Sequence, residues 1–140
     1  MAKNETTQSE PSEAEGGADV GAQSASGAAP GKITQISIED LYMRMGEGSV
    51  FLVDVRSGAF HAFGHIDGSI SMPLRTFGKS YPEKKPELDA AVSDGRLIVL
   101  YCGNAKCPDA GITAKKLSDR GYRVCIYKGG WEEWKSAGLE

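Results

Sequence analysis

The chain has 140 residues, enough for one ordinary domain and too few for two well-buried cores. Hydrophobic residues make up 40% and charged residues 25%, a globular balance, and the net charge of −3 gives no general attraction to nucleic acid. The charge is unevenly placed: residues 1–31 hold Glu5, Glu10, Glu13, Glu15 and Asp19 against Lys3, which leaves the remainder near +1.

Residues 1–31, rich in Ala, Gly and Ser, contain almost no large apolar side chain beyond Val20. Such a segment cannot bury enough surface to offset the entropy of ordering, so a disordered acidic tail is expected there and a folded domain over 32–140. The tail lacks the apolar run of a signal peptide or membrane span and is too acidic for a transit peptide. The expectation is a cytoplasmic protein with no membrane partner, export or anchoring by a segment outside this chain being left open.

The body alternates strand and helix signals. "ITQI" (33–36) reads as a short strand, and Ser37 with Asp40 resembles a capping box opening "IEDLYMRM". "VFLVDV" (50–55) is a continuous apolar run, as in a strand buried on both faces. "SISMP" is a shorter strand candidate, and residues 84–93 are expected to be helical after Pro82. "LIVLY" (97–101) is the strongest strand signal. Pro108 suits a first helical position, so "PDAGITAKKLSDR" reads as a helix ending at Gly121. "YRVCIY" (122–127) is the last strand and "GGWEEWKSAG" a short helix. This alternation argues an α/β fold around a mostly parallel sheet, and no internal repeat is visible.

Three cysteines do not make a disulfide framework in a chain of this size, and reduced thiols are the default without an export signal. Cys125 lies inside an apolar strand, where a free cysteine acts as a small hydrophobe. Cys102 and Cys107 flank a loop of small residues between a strand and a helix, where a metal site, a redox pair, an activated nucleophile and plain packing are all open. In a parallel sheet, ligands collect at the carboxyl ends of strands. There, a small-residue loop can turn its N–H groups inward as an anion cradle, and the helix dipole adds to the field. A thiol in that cradle has its thiolate favoured.

"FLVDVRSGAFHAFGHIDGSISMPL", then "IVLYC" opening a loop before a helix, then "GYRVCIYKGGWEEWKSAG" together resemble the rhodanese-like domain, in the family's order and spacing. The resemblance runs from about Ile33 onward. It implies a three-layer α/β fold, with helices flanking a parallel sheet of about five strands. It also implies a sulfurtransferase: a cysteine takes a sulfane sulfur from thiosulfate or a similar small anion, becomes a persulfide, and passes the sulfur to a thiol or cyanide-like acceptor. Cys102 occupies that position, with Gly103, Asn104, Ala105, Lys106 and Cys107 as the substrate-binding loop. No cofactor and no metal is implied. Many active members carry an arginine in this loop. This chain has none, has a Cys-x4-Cys form shared by a smaller group of rhodanese-like sequences, and leaves Lys106 as the loop's only cation.

A phosphatase of the Cys-x5-Arg kind is excluded, because Pro108 and Thr113 stand six residues after the two cysteines and neither can clamp phosphate. Zinc would need four ligands, and there is no second cysteine pair. The remaining rival is a rhodanese-like module that binds sulfur, senses redox state or binds a protein partner without turnover. Asp54 and Arg56 are expected to hold a loop, His65 to brace its own turn, and Trp131 and Trp134 to pack in the core. Cys107 is expected at the helix N-cap, within disulfide reach of Cys102 if the loop curls back, as a candidate resolving thiol.

Overall fold

The computed structural model describes residues 30–139. The expected disordered tail lies outside them except for Pro30 and Gly31. Gly31 donates its N–H to the Ser118 carbonyl (2.9 Å) and accepts the Ser118 hydroxyl. A side chain on Gly31 would run into the Tyr122 carbonyl, so the backbones approach here as only glycine allows.

Five strands, β1 (Ile33–Gln35), β2 (Val50–Asp54), β3 (Ile70–Ser71), β4 (Leu97–Tyr101) and β5 (Val124–Tyr127), form one sheet. Its order is β1-β5-β4-β2-β3 and every neighbouring pair is parallel. Five helices connect them: α1 (Ile38–Gly46), α2 (Gly58–Phe63), α3 (Phe77–Ser93), α4 (Asp109–Asp119) and α5 (Gly130–Ser136). A single 3-10 turn, Leu74–Thr76, precedes α3.

Successive strand residues point to opposite faces, and the core divides accordingly. Phe51, Val53, Ile98, Leu100 and Val124 pack with Phe77, Leu88 and Ala91 of α3 and Ala110, Ala114 and Leu117 of α4. Leu52, Val99, Tyr101, Cys125 and Tyr127 pack on the other face with Leu41 of α1 and Trp134 of α5. These are the three layers expected, and they explain why β2 and β4 are apolar without alternation: neither face of the sheet meets water. Each fully buried aliphatic side chain of β4 contributes about 1.5–3 kcal/mol.

Three local expectations need correction, and one helix was not anticipated. Residues 58–63 are helical, because the Ser57 hydroxyl accepts the Phe60 N–H and starts a turn that the six-residue stretch is too short to advertise by periodicity. Helix α3 begins at Phe77, not after Pro82, and runs through both Pro82 and Pro86. Both prolines are exposed, so the carbonyls they leave unpaired face solvent, while Phe77, Ser80, Leu88 and Ala91 anchor the opposite face. The last strand starts at Val124, two residues later than expected, after Tyr122 has turned into the α3–α4 core. Helix α4 is capped by Pro108, not by Cys107; Pro108 is already in the helical region and its carbonyl accepts the Ile112 N–H.

Candidate active site

Cys102 follows the last residue of β4, the central strand, and is buried with 6% of its surface exposed. The chain then turns on Asn104. Its side-chain oxygen accepts the Lys106 N–H (2.9 Å), its carbonyl accepts the Cys107 N–H (3.2 Å), and its amide donates to Glu132 Oε2 (3.1 Å). This tight turn brings Cys107 back over the strand end, with the two Cα atoms 6.4 Å apart and the sulfurs joined as a disulfide. The expected cradle is only partly present. The N–H groups of Lys106 and Cys107 are spent on Asn104, while those of Gly103, Asn104 and Ala105 have no protein acceptor among the described residues.

A pocket of about 280 Å³ opens beside the disulfide, lined by both cysteines, Asn104, Ala105, Lys106, the start of α4, and Gln35, Ile126, Tyr127 and Lys128. Gly103 is the one residue of the predicted loop that does not line it. The structure adds Lys128, which follows β5, and Gln35, which ends β1. Both lie at carboxyl ends of strands, a signal that marks them as candidates without saying which strands stand on the same side as β4. The negative end of a ligand here meets two lysine point charges instead of an arginine fork, a pairing that favours charge over one planar geometry.

Helix α5 clamps the loop from the other side. The Trp131 N–H donates to the Cys102 carbonyl (3.0 Å) and the Glu132 N–H to the Gly103 carbonyl (2.9 Å). Gly130 makes this possible: its φ is +67°, and a Cβ there would stand 2.5 Å from the Cys102 carbonyl oxygen. A left-handed turn at that closeness requires glycine.

Beneath the loop lies a polar network on a fully buried carboxylate. Asp54 accepts the Arg56 backbone N–H (2.9 Å), Arg56 Nε (3.0 Å) and Nη2 (2.7 Å), and the Nδ1–H of His61 (2.9 Å). Arg56 also donates to the Gly64 carbonyl (2.7 Å), and its guanidinium lies 5.8 Å from the Tyr101 ring centre and 5.6 Å from that of Trp131. Burial alone would lower the Arg56 pKa, but its bonds and charge pairing with Asp54 outweigh that and raise it. Tyr101 hydroxyl accepts the Ile66 N–H (3.1 Å) and pairs with the Ser69 hydroxyl (2.9 Å), pinning the "HIDGS" turn. His65 donates Nδ1–H to the His61 carbonyl (2.8 Å), with the two imidazoles stacked 3.8 Å apart.

Asp54, Arg56 and His65 therefore support the loop's surroundings, and none of them lines the pocket. The sequence reading missed His61, the fourth member of this network. Trp134 is core, as expected, and Trp131, half-buried, packs against the same core and covers Arg56. Cys125 is buried in the second core, where burial pushes its thiol pKa up. An Asp109 carboxylate oxygen lies near both cysteine sulfurs, but sulfurs joined as a disulfide are not thiolate ligands for a metal. No helix among the described residues is long and apolar enough to cross a membrane.

Comparison with known proteins places these features in a wider set. The rhodanese-like domain family model matches residues 37–137. Over 104 residues the chain is 33% identical to the HTH-type transcriptional regulator Rv0324 of Mycobacterium tuberculosis, an alignment covering 74% of this chain and 42% of the regulator. The chain thus spans less than half the length of that relative. Among solved structures, the BH2092 protein of Bacillus halodurans superposes with a TM-score of 0.63 at 28% identity, covering 76% of this chain and 74% of that one. The human single-domain sulfurtransferase TSTD1 superposes with a TM-score of 0.53 at 25% identity, covering 73% and 95%.

Proposed function

The chain belongs to the rhodanese-like domain family, and from that premise we propose that it is a sulfurtransferase working through a persulfide on Cys102. The observation that carries the reading is position: Cys102 immediately follows the central strand of a parallel sheet and lines a pocket bearing Lys106 and Lys128. In the reduced protein the Cys102 thiolate attacks the outer sulfur of thiosulfate, forms the S–S bond of a persulfide and expels sulfite. A thiol or cyanide acceptor then takes the outer sulfur and returns Cys102 to the thiolate. The lysines and the N–H groups of Asn104 and Ala105, which have no protein acceptor among the described residues, offset the donor's charge. No cofactor enters, because the sulfur rides on the protein's own thiol. The likeness to TSTD1 supports the reaction class, and the donor proposed is a small sulfur-containing anion.

The test is intact mass. Reduced Cys107→Ser protein, which keeps only the proposed nucleophile at the site, gains one sulfur atom with thiosulfate and loses it again with cyanide, whereas Cys102→Ser gains none. Uptake by the Cys102 variant at the wild-type rate overturns the assignment. The regulator relative favours a second reading, a module that senses sulfur or redox state without sustained transfer. Under that reading the first sulfur is taken up but no steady production of thiocyanate follows.

A further inference from the structure

We propose that Cys107 is a resolving thiol, and that the domain thereby reduces sulfane sulfur to sulfide as well as transferring it. This rests on the Cys102 persulfide reading and extends it. Three observations carry it. The turn organised by Asn104 holds the Cα atoms of Cys102 and Cys107 6.4 Å apart, inside the range a disulfide spans, and the sulfurs are in fact joined. Asn104 is itself tied to Glu132 of α5, so the loop meets the disulfide geometry while anchored to the scaffold. Cys102 is buried whereas Cys107 is half-buried, and both line the pocket. An external acceptor must therefore enter the pocket to reach Cys102, while Cys107 already stands beside its sulfur. Such placement turns a bimolecular step into an intramolecular one.

The chemistry follows from which sulfur Cys107 can reach. Its thiolate attacks the inner sulfur of the Cys102 persulfide, the atom to which it is bonded in the structure. The inner S–Sγ bond with Cys107 forms, the bond to the outer sulfur breaks, and that sulfur leaves with the electron pair as hydrosulfide. The two cysteines are oxidised to the disulfide and the sulfane sulfur is reduced. A dithiol reductant then attacks Cys107, the more exposed sulfur, and a second exchange restores both thiols. In sum, thiosulfate and a dithiol yield sulfite, hydrosulfide, one proton and the oxidised dithiol.

A single turnover without added reductant tests this. Reduced, desalted protein receives one equivalent of thiosulfate, and sulfite, sulfide and intact mass are followed. Wild type is expected to release one sulfite and one sulfide per chain and to end two hydrogens lighter with Cys102 linked to Cys107, the step from persulfide to disulfide being first-order and independent of protein concentration. Cys107→Ser and Cys107→Ala are expected to release sulfite alone and to end one sulfur atom heavier. If wild type holds a persulfide as stably as these variants and releases no sulfide, the resolving role is overturned while the sulfurtransferase reading stands. If wild type releases no sulfite and gains no sulfur, both are overturned. Should the variants fail to fold, the wild-type products alone decide between a disulfide with sulfide and a lasting persulfide.

Discussion

Asp54 has no solvent exposure, and what makes its burial tolerable is the number of donors aimed at it: three from Arg56 and one from His61. Removing the main partner while leaving the carboxylate is expected to cost most. Arg56→Ala should lower unfolding free energy by about 3–5 kcal/mol, read from denaturant midpoints. A cost below about 1 kcal/mol would mean that water reaches Asp54 and the network is not closed. Tyr101 makes a second expectation. Burial and then the nearby Asp54 charge push its pKa up from 10.0 to about 12, and burial also raises Tyr122 and Tyr127. A folded pKa above the unfolded one contributes stability below pH 10 that is lost as pH rises toward 12. Denaturant midpoints should therefore fall steeply over that window, and Tyr101→Phe should flatten the fall while losing about 1–3 kcal/mol at neutral pH by orphaning the Ile66 N–H. An unchanged alkaline slope in that variant would remove Tyr101 from the account. Asp54 and Arg56 were legible as loop-holding residues because a charged pair two residues apart at a strand end has few other uses. His61 was not, because its role depends on the unannounced helix α2.

At the scale of elements, the two adjacent glycines before Trp131 separate cleanly. Gly130 takes a left-handed φ against the Cys102 carbonyl, whereas Gly129 has φ −61° and faces the Glu133 side chain of its own helix, whose carboxylate accepts the Tyr127 hydroxyl (2.8 Å). Gly130→Ala should cost at least the ~1–2 kcal/mol of the left-handed conformation and displace the Cys102 loop, so sulfur uptake should fall more than stability does. Gly129→Ala should spare sulfur uptake more than Gly130→Ala does, its cost falling on the Tyr127–Glu133 hydrogen bond, and equal losses of uptake would contradict the close approach. Helix α3 offers a test in the opposite sense. Pro86 is exposed and interrupts an otherwise continuous helix, so Pro86→Ala should raise stability by about 1 kcal/mol, the restored bond to the Pro82 carbonyl outweighing the freer unfolded chain. A drop in thermal midpoint would show that the proline geometry is required. This helix also marks where sequence reasoning stops. Two prolines four residues apart argue against a helix locally, and only the burial of Phe77, Ser80, Leu88 and Ala91 on one side overrides them. The strongest strands were legible for the converse reason, since "VFLVDV" and "LIVLY" are apolar on both faces and nothing local opposes them.

For the molecule as a whole, the sheet order places β4 at the centre, paired on both edges and covered on both faces. Amide exchange should be slowest there and fastest in β1, whose residues are all exposed and which pairs on one side only. Comparable protection in the two strands would argue that β1 is covered by something more than β5. The pocket was legible only on the β4 side, because Lys128 and Gln35 join it through strand order, and a pattern read along the chain does not say which strands become neighbours. The reach of α5 onto the Cys102 loop has a last consequence, which concerns the order of synthesis. The loop leaves the ribosome well before its partners, for Asn104 and Glu132 are separated by 28 residues. Until α5 follows, the carbonyls of Cys102 and Gly103 lack the N–H groups of Trp131 and Glu132. A nascent chain thus displays its two thiols on an unclamped turn, and the site is finished by the α5 segment, which adds no residue to the pocket wall.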